Sequence, residues 1–230
     1  MPKSDIRVII PAYNEENAVG LVIDEIPKGL VSEVIVVDNG STDNTTVTAQ
    51  QRGATVLRQE EKGYGHACLK GMEHIARSPT QPDIVVFLDG DHSDYPEKMD
   101  DLVNPIRNEE AVFVIGSRAL GNAEKGSMTF PQRFGNWLAT WLISKLYGVT
   151  YTDLGPFRAI HYPTLLKLDM SDKTFGWTVE MQLKIARLSL PLVEIPVDYR
   201  KRVGKSKISG TIRGTIMAGY KILYTIFNYY

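Results

Sequence analysis

Short, unbroken Val- and Ile-rich runs, each followed by a helix-like stretch, restrict this chain to a narrow set of folds. Arg7-Val8-Ile9-Ile10, Val34-Ile35-Val36-Val37, Ala54-Thr55-Val56-Leu57, Ile84-Val85-Val86-Phe87-Leu88 and Val112-Phe113-Val114-Ile115 are continuous rather than alternating. Strands that read this way are buried on both faces, as in a parallel sheet covered by helices. The segments between them supply the helices. Glu15 to Ile26 carries apolar residues at helical spacing, and Ser41, Thr42 or Asp43 offers a cap for the stretch ending at Arg52. A helix follows Lys62-Gly63-Tyr64-Gly65, and Pro96 takes the favoured first position of another. This order through residue 118 predicts an α/β protein with a doubly wound, mostly parallel sheet.

Beyond residue 118 the rhythm changes. Gly121 to Ser127 reads as a polar loop, Gln132 to Tyr147 and Thr178 to Leu188 as helices, and Leu192 to Val197 as a strand. No repeat, low-complexity tract or linker divides the 230 residues, a length that suits one substantial core.

Composition excludes several classes. The 43% hydrophobic and 23% charged content is that of a soluble globular protein, and a net charge of −1 gives no support for nucleic-acid binding. Cys68 stands alone, which rules out an internal disulfide and fits a reducing compartment. His66, His74, His92 and His161 lack zinc-site spacing. The apolar run after Met1-Pro2-Lys3-Ser4-Asp5 is too short for a signal peptide, and no run has the length of a membrane span. A cytoplasmic location is the expectation, with contact at the inner membrane face left open.

Three strand ends carry the chemistry. The first gives Pro11-Ala12-Tyr13-Asn14-Glu15-Glu16, the second Asp38-Asn39-Gly40-Ser41-Thr42-Asp43, and the fourth Asp89-Gly90-Asp91. Each alone reads as a turn or a helix cap. In a parallel sheet all three emerge on one edge, where open α/β sheets bind ligands. Asp89 and Asp91 can grip a hard divalent cation, Mg²⁺ or Mn²⁺, whose oxygen ligands are shared between carboxylates and substrate phosphates. Such a cation neutralises a diphosphate leaving group. Asp38 can accept hydrogen bonds from a base or ribose.

With these motifs in order, the chain resembles the family-2 inverting glycosyltransferases of GT-A fold, most nearly the dolichyl-phosphate mannose synthase-like branch. Pro11 to Glu16, Val37 to Asp43, Lys62-Gly63-Tyr64-Gly65-His66-Ala67, Leu88 to Asp91 and Gly116-Ser117-Arg118 carry the likeness. Asp153-Leu154-Gly155-Pro156-Phe157-Arg158 and Arg202-Val203-Gly204-Lys205-Ser206-Lys207 extend it towards the end of the chain. Two departures stand out: Asn39 replaces a second Asp, and Gly155-Pro156-Phe157 differs from the forms common among mannose synthases.

The resemblance implies transfer of a sugar from a nucleoside diphosphate sugar to a polyprenyl phosphate. Residues 1–118 would form the nucleotide-sugar half and residues 119–230 the acceptor half of a single domain. Pro11, Tyr13, Glu15, Asp38, Lys62, Gly63 and Gly90 would hold the donor together with Asp89 and Asp91. Arg202, Ser206 and Lys207 would close on its phosphates, a task that suits arginine's planar fork. Arg118 and Arg133 would hold an acceptor phosphate. A phosphate needs no strong base, whereas a hydroxyl acceptor does, and Asp153 or Glu180 is then the candidate. A soluble metabolite or glycan acceptor, and a non-catalytic nucleotide-sugar-binding module, are the rival readings.

Two stretches bear on a lipid acceptor. Phe134, Trp137, Leu138, Trp141 and Leu142 lie on one side of a predicted helix and suit either the core or a bilayer interface. The amphipathic end from Ile208 to Phe227, beside Lys201, Arg202, Lys205, Lys207 and Arg213, suits an anionic membrane surface, the rest of the domain or a twin subunit in a homo-oligomer.

Overall fold

A computed structural model describes residues 4–204 and 212–230. Its strands are β1 (Ile6–Ala12), β2 (Glu33–Asp38), β3 (Thr55–Arg58), β4 (Ile84–Phe87), β5 (Phe113–Ser117), β6 (Arg158–His161) and β7 (Leu192–Pro196). They form one sheet in the order β3-β2-β1-β4-β6-β5-β7. The helices are α1 (Val19–Glu25), α2 (Thr45–Gln51), α3 (Tyr64–Ala76), α4 (Met99–Arg107), α5 (Phe130–Tyr147), α6 (Tyr162–Leu168), α7 (Trp177–Arg187) and α8 (Ile212–Asn228). A 3₁₀ turn, Pro96–Lys98, leads into α4.

Alternation along the buried strands separates two cores. Ile9, Val85, Phe87, Phe113 and Ile115 face α3, α5, α6, α7 and the end of α8. Val8, Ile10, Val36, Val86 and Val114 face α1, α2 and α4. Burying each such side chain contributes about 1.5–3 kcal/mol, so both faces must be covered before the sheet is stable. That double burial is why the strands read as unbroken apolar runs.

The sheet departs from the sequence reading at β6, which lies antiparallel to both β4 and β5. Its first residue, Arg158, is wholly buried, with its guanidinium donating to the carbonyls of Leu154, Gly155 and Thr178. A charged residue in so short a strand removes the apolar run by which the others were recognised. The seven-residue α6 was missed because it is too short to show a period. The first helix starts at Val19 rather than Glu15, because the preceding residues are used at the strand tip.

The aromatic stripe of α5 faces outwards. The helix buries Ala139, Thr140 and Ile143, while Phe130, Phe134, Trp137 and Trp141 are 79%, 50%, 57% and 46% exposed. Their ring centroids follow one another at 6.3, 5.8 and 6.5 Å. With so little burial, α5 relies on its ends: a Thr129/Gln132 capping box starts it, and left-handed Gly148 (φ 71°) stops it.

The start of α3 is fixed by the loop before α7. Gly65 N donates to Thr174 O at 3.2 Å, and His66 N to Lys173 O at 3.0 Å. A Cβ on Gly65 would lie 2.0 Å from Asp172 O and 2.7 Å from the Lys173 carbonyl carbon, both backbone atoms. Gly65→Ala should therefore destabilise the protein by about 1–3 kcal/mol, the cost of overpacking, despite alanine's better helix propensity. A lowered urea midpoint at unchanged slope is the expected result.

Candidate active site

The ends of β2, β1 and β4 lie side by side, and the first two motifs interlock. Asn14 N donates to Ser41 Oγ at 2.9 Å, and Thr42 N to Asn14 Oδ1 at 2.8 Å. Glu15 N donates to Thr45 Oγ1 at 2.8 Å, and Asn44 N to Glu16 Oε2 at 3.0 Å. Asn14 adopts φ 54°, a left-handed conformation that asparagine tolerates better than most residues. Many of the motif's polar side chains thus shape the two loops.

Asp38 belongs to this framework. It is 1% exposed and accepts from Ser41 N at 2.8 Å, Thr46 Oγ1 at 2.6 Å and Arg58 Nη1 at 3.1 Å. Burial pushes its pKa up, but these donors outweigh burial and lower it. It lies outside the cleft lining, which Asn39 joins instead. Asn39 Nδ2 donates to Gln59 O and Glu61 O at 3.2 and 2.7 Å, while its Oδ1 accepts from Gly63 N at 2.7 Å. A carboxylate cannot make that set of bonds, which accounts for the amide at this position.

The cleft has a volume of about 370 Å³. Pro11, Tyr13, Glu15, Lys62, Gly63, Asp89, Gly90, Asp91 and Arg202, all among the donor-site candidates, line it. Lys62 Nζ donates to Tyr13 Oη at 2.6 Å and lies 4.0 Å from that ring's centroid. Thr174 and Phe175 form a wall that no sequence motif announced.

Asp89 and Asp91 face this space with a charge to be balanced. Asp89 Oδ1 is shielded from solvent and has no hydrogen-bond partner among the described residues. Burial and the adjacent Asp91 carboxylate raise the Asp89 pKa from 3.8 to about 7. Asp91 Oδ1 accepts from Ser93 N at 2.9 Å, and its Oδ2 lies 3.2 Å from Arg202 Nη1. Arg202 Nη2 reaches Glu15 Oε1 at 2.6 Å. A half-satisfied carboxylate pair with one oxygen unclaimed fits a hard dication, which takes oxygen ligands and removes the mutual repulsion.

The acceptor-side candidates fall in different places. Asp153, 1% exposed, grips Arg118: Nε and Nη2 both donate at 2.7 Å, and the Arg118 backbone N donates at 2.8 Å. Burial works against the Arg118 charge, but Asp153 outweighs it and raises the pKa. A carboxylate engaged in this way positions Arg118 rather than waiting as a base. Glu180 is likewise occupied, accepting from Ser171 N, Asp172 N and Tyr229 Oη at 2.7–2.9 Å and pairing with Lys184 at 2.8 Å. Burial pushes its pKa up, yet the partners lower it. Neither side chain lines the cleft, nor does Arg118 or the exposed Arg133 in the first turn of α5. Ser206 and Lys207 lie outside the described residues.

Residues 7–168 match the family described as Glycosyl transferase family 2. A dolichyl-phosphate hexose transferase of Haloferax volcanii is 34% identical, the match covering 89% of this chain and 86% of that one. An undecaprenyl-phosphate mannosyltransferase of Micrococcus luteus is 30% identical, covering 91% and 89% respectively. Glucosyl-3-phosphoglycerate synthase from Mycobacterium tuberculosis, solved with Mn²⁺, UDP-glucose and phosphoglyceric acid, superposes with a TM-score of 0.75. Its sequence is 24% identical, and the superposition covers 98% of this chain and 79% of that one.

The carboxylate pair sets two expectations, both read by calorimetric titration with Mn²⁺. Asp91→Asn should abolish measurable binding while leaving the circular dichroism spectrum unchanged. In the intact protein, binding should weaken as pH falls, because the cation must displace the Asp89 proton below about pH 7. The slope should approach about tenfold per pH unit. Without metal, the raised Asp89 pKa makes the folded state hold its proton longer than the unfolded state. Its contribution to stability therefore diminishes as pH rises from 3.8 towards 7, and added Mn²⁺ should offset that loss. A pH-independent affinity would overturn the assignment.

Proposed function

The chain belongs to the family-2 glycosyltransferases and has the GT-A fold, and from that premise we propose that it transfers a sugar, with inversion, from a nucleoside diphosphate sugar to a polyprenyl phosphate. The observation that carries the choice of acceptor is the exposed aromatic ladder of α5, together with a second exposed apolar face on α8. On α8, Ile216, Met217, Tyr220 and Phe227 are 51–63% exposed. Amphipathic helices of this kind seat their apolar face at the boundary of headgroups and acyl chains. Among the described residues no helix is long and apolar enough to cross a membrane. Peripheral attachment at the inner face is therefore the mode proposed. Two relatives named for polyprenyl-phosphate acceptors support the same reading.

Within this reading the donor sits in the cleft, with its base towards Tyr13, Asn39 and Lys62 and its diphosphate towards Asp89, Asp91 and Arg202. Asp89 and Asp91 would hold Mg²⁺ or Mn²⁺, which would supply electrostatic stabilisation of the departing diphosphate. Arg202 exchanges its bonds to Glu15 and Asp91 for phosphate oxygens, adding a positive charge where negative charge develops. Arg118 and residues 119–230 receive the acceptor. Asp153 holds Arg118 by Nε and Nη2, which leaves Nη1 as the group assigned to the acceptor phosphate, with Arg133 as the outer contact. A phosphate monoester with a second pKa of about 6 is largely dianionic at neutral pH, so the step requires no protein base. That agrees with the engagement of both Asp153 and Glu180 elsewhere.

Donor consumption across UDP- and GDP-sugars, with and without polyprenyl phosphate, tests the activity. Turnover only with the lipid phosphate and a divalent cation is expected. Transfer to a hydroxyl metabolite, with the lipid phosphate ignored, would overturn the acceptor assignment. Arg202→Ala should lower kcat about 100-fold or more, by the loss of a donor aimed at developing charge. On vesicles, Trp137→Ala with Trp141→Ala should reduce binding at least about fivefold, since each ring buries a large apolar surface. Nucleotide binding should remain unchanged in that double variant.

A further inference from the structure

The segment following β7 crosses the metal-binding tip and satisfies its backbone almost alone. Val197 N donates to Ser117 O at 3.1 Å, which launches the strand-like stretch across the sheet edge. Four consecutive carbonyls beginning at Asp91 then find their donors on it. Asp91 O accepts from Val203 N at 3.0 Å, and Ser93 O from Arg200 N at 2.9 Å. His92 O accepts from Arg200 Nε at 2.7 Å, and Asp94 O from Arg200 Nη2 at 3.0 Å. One arginine thus serves three of the four.

Arg200 is itself held from both sides. Its guanidinium pairs with Glu25 at the end of α1 and stacks 4.4 Å from the centroid of the Tyr95 ring. Glu25 also meets His92 Nε2 at 2.8 Å, so α1, the loop after β4 and the crossing segment share one junction. The loop needs such support. His92 adopts φ 64°, in the left-handed region that non-glycine residues occupy only when their surroundings insist. Its carbonyls turn away from the sheet ladder, and unsatisfied buried carbonyls are costly.

Arg202, two residues further along, reaches Asp91 Oδ2 and Glu15 from the same segment. The anchor that shapes the backbone of the metal-binding tip therefore also delivers the cation beside its second carboxylate. We propose that Arg200 is a positioning residue for the metal site: it sets divalent-cation affinity through the backbone of residues 91–94 and the placement of Arg202, without contacting metal or sugar. This rests on the reading of Asp89 and Asp91 as the metal pair. Lysine cannot replace it, because a single ammonium lacks the fork that spans two carbonyls and a carboxylate.

The test is calorimetric titration of the full chain with Mn²⁺, at a temperature well below unfolding, for wild type, Arg200→Lys, Arg200→Ala and Glu25→Gln. Arg200→Ala and Arg200→Lys should weaken Mn²⁺ binding about 10–100-fold, the range found for groups that orient metal ligands. Glu25→Gln, which keeps the arginine but removes its charged partner, should lose less and carries the test if the Arg200 variants do not fold. Arg107→Ala on α4, which breaks a surface pair with Asp100, should leave the affinity unchanged. Folded Arg200 variants that bind Mn²⁺ as wild type does, with only a lowered melting temperature, would overturn the positioning role. A wild-type protein that binds no Mn²⁺ would overturn the metal reading itself and this inference with it.

Discussion

Parallel pairing of β1 with both β2 and β4 is the constraint from which the site follows. Ala12 lies opposite Asp38, and Ile9 opposite Phe87, so β1 and β2 end level and β4 ends three residues short of them. Leu88 N extends the pairing by donating to Ile9 O at 3.2 Å. A Cβ on Gly90 would stand 3.3 Å from Pro11 O, which shows how closely the first and fourth tips approach. Parallel strands present all their carboxyl ends on one edge, so polar residues far apart in the chain converge without any dedicated scaffold. A one-residue slip would exchange the side chains of the two cores, each packed against its own set of helices, and that mispacking penalty keeps the tips aligned.

Convergence creates an electrostatic debt at that edge. Asp89 and Asp91 share the tip of β4, and Glu15 approaches through Arg202. Asp94 is 3% exposed, and neither of its carboxylate oxygens has a hydrogen-bond partner among the described residues. Burial and the charge of Asp89 raise its pKa well above the usual range. Arg118 is committed to Asp153, and Arg202 is divided between two carboxylates. The local balance is therefore negative in a region screened from water, where unpaired charge is costly. A dication is the complement that such a balance favours.

Much of this was legible because the buried parallel strands have a strong apolar signature and the tips carry dense polar motifs. What the sequence could not convey was direction. Asp38, Asp153 and Glu180 have the residue types and positions of ligand-facing acids, yet each is turned to backbone amides or to an arginine, tyrosine or lysine of its own. Which way a carboxylate points is decided by donors distant in sequence, such as Arg58 for Asp38 or Tyr229 for Glu180. Strand β6 escaped notice for a related reason: Arg158 is tolerated in the core only because three carbonyls from two other segments receive it. The α5 stripe was ambiguous because helical periodicity identifies an apolar face without saying what covers it.

The outward face and the cleft are joined by one short loop. Residues 171–175 supply Thr174 and Phe175 to the cleft wall and brace the first turn of α3 through the carbonyls of Lys173 and Thr174. From behind, the same loop is held by Glu180, and α8 reaches it through Tyr229 on Glu180 and through Lys221 on Asp172 at 2.8 Å. Asp172 Oδ1 also accepts from Thr174 N and Gly176 N at 2.7 and 3.1 Å. Removing Lys221 would leave a largely buried carboxylate without its cation, and removing Tyr229 would take one donor from Glu180. Partner loss at buried charges is among the more destabilising of single changes. Helix α8 therefore cannot be treated as an appendage added for attachment alone, because its inner face braces the loop that forms one wall of the cleft.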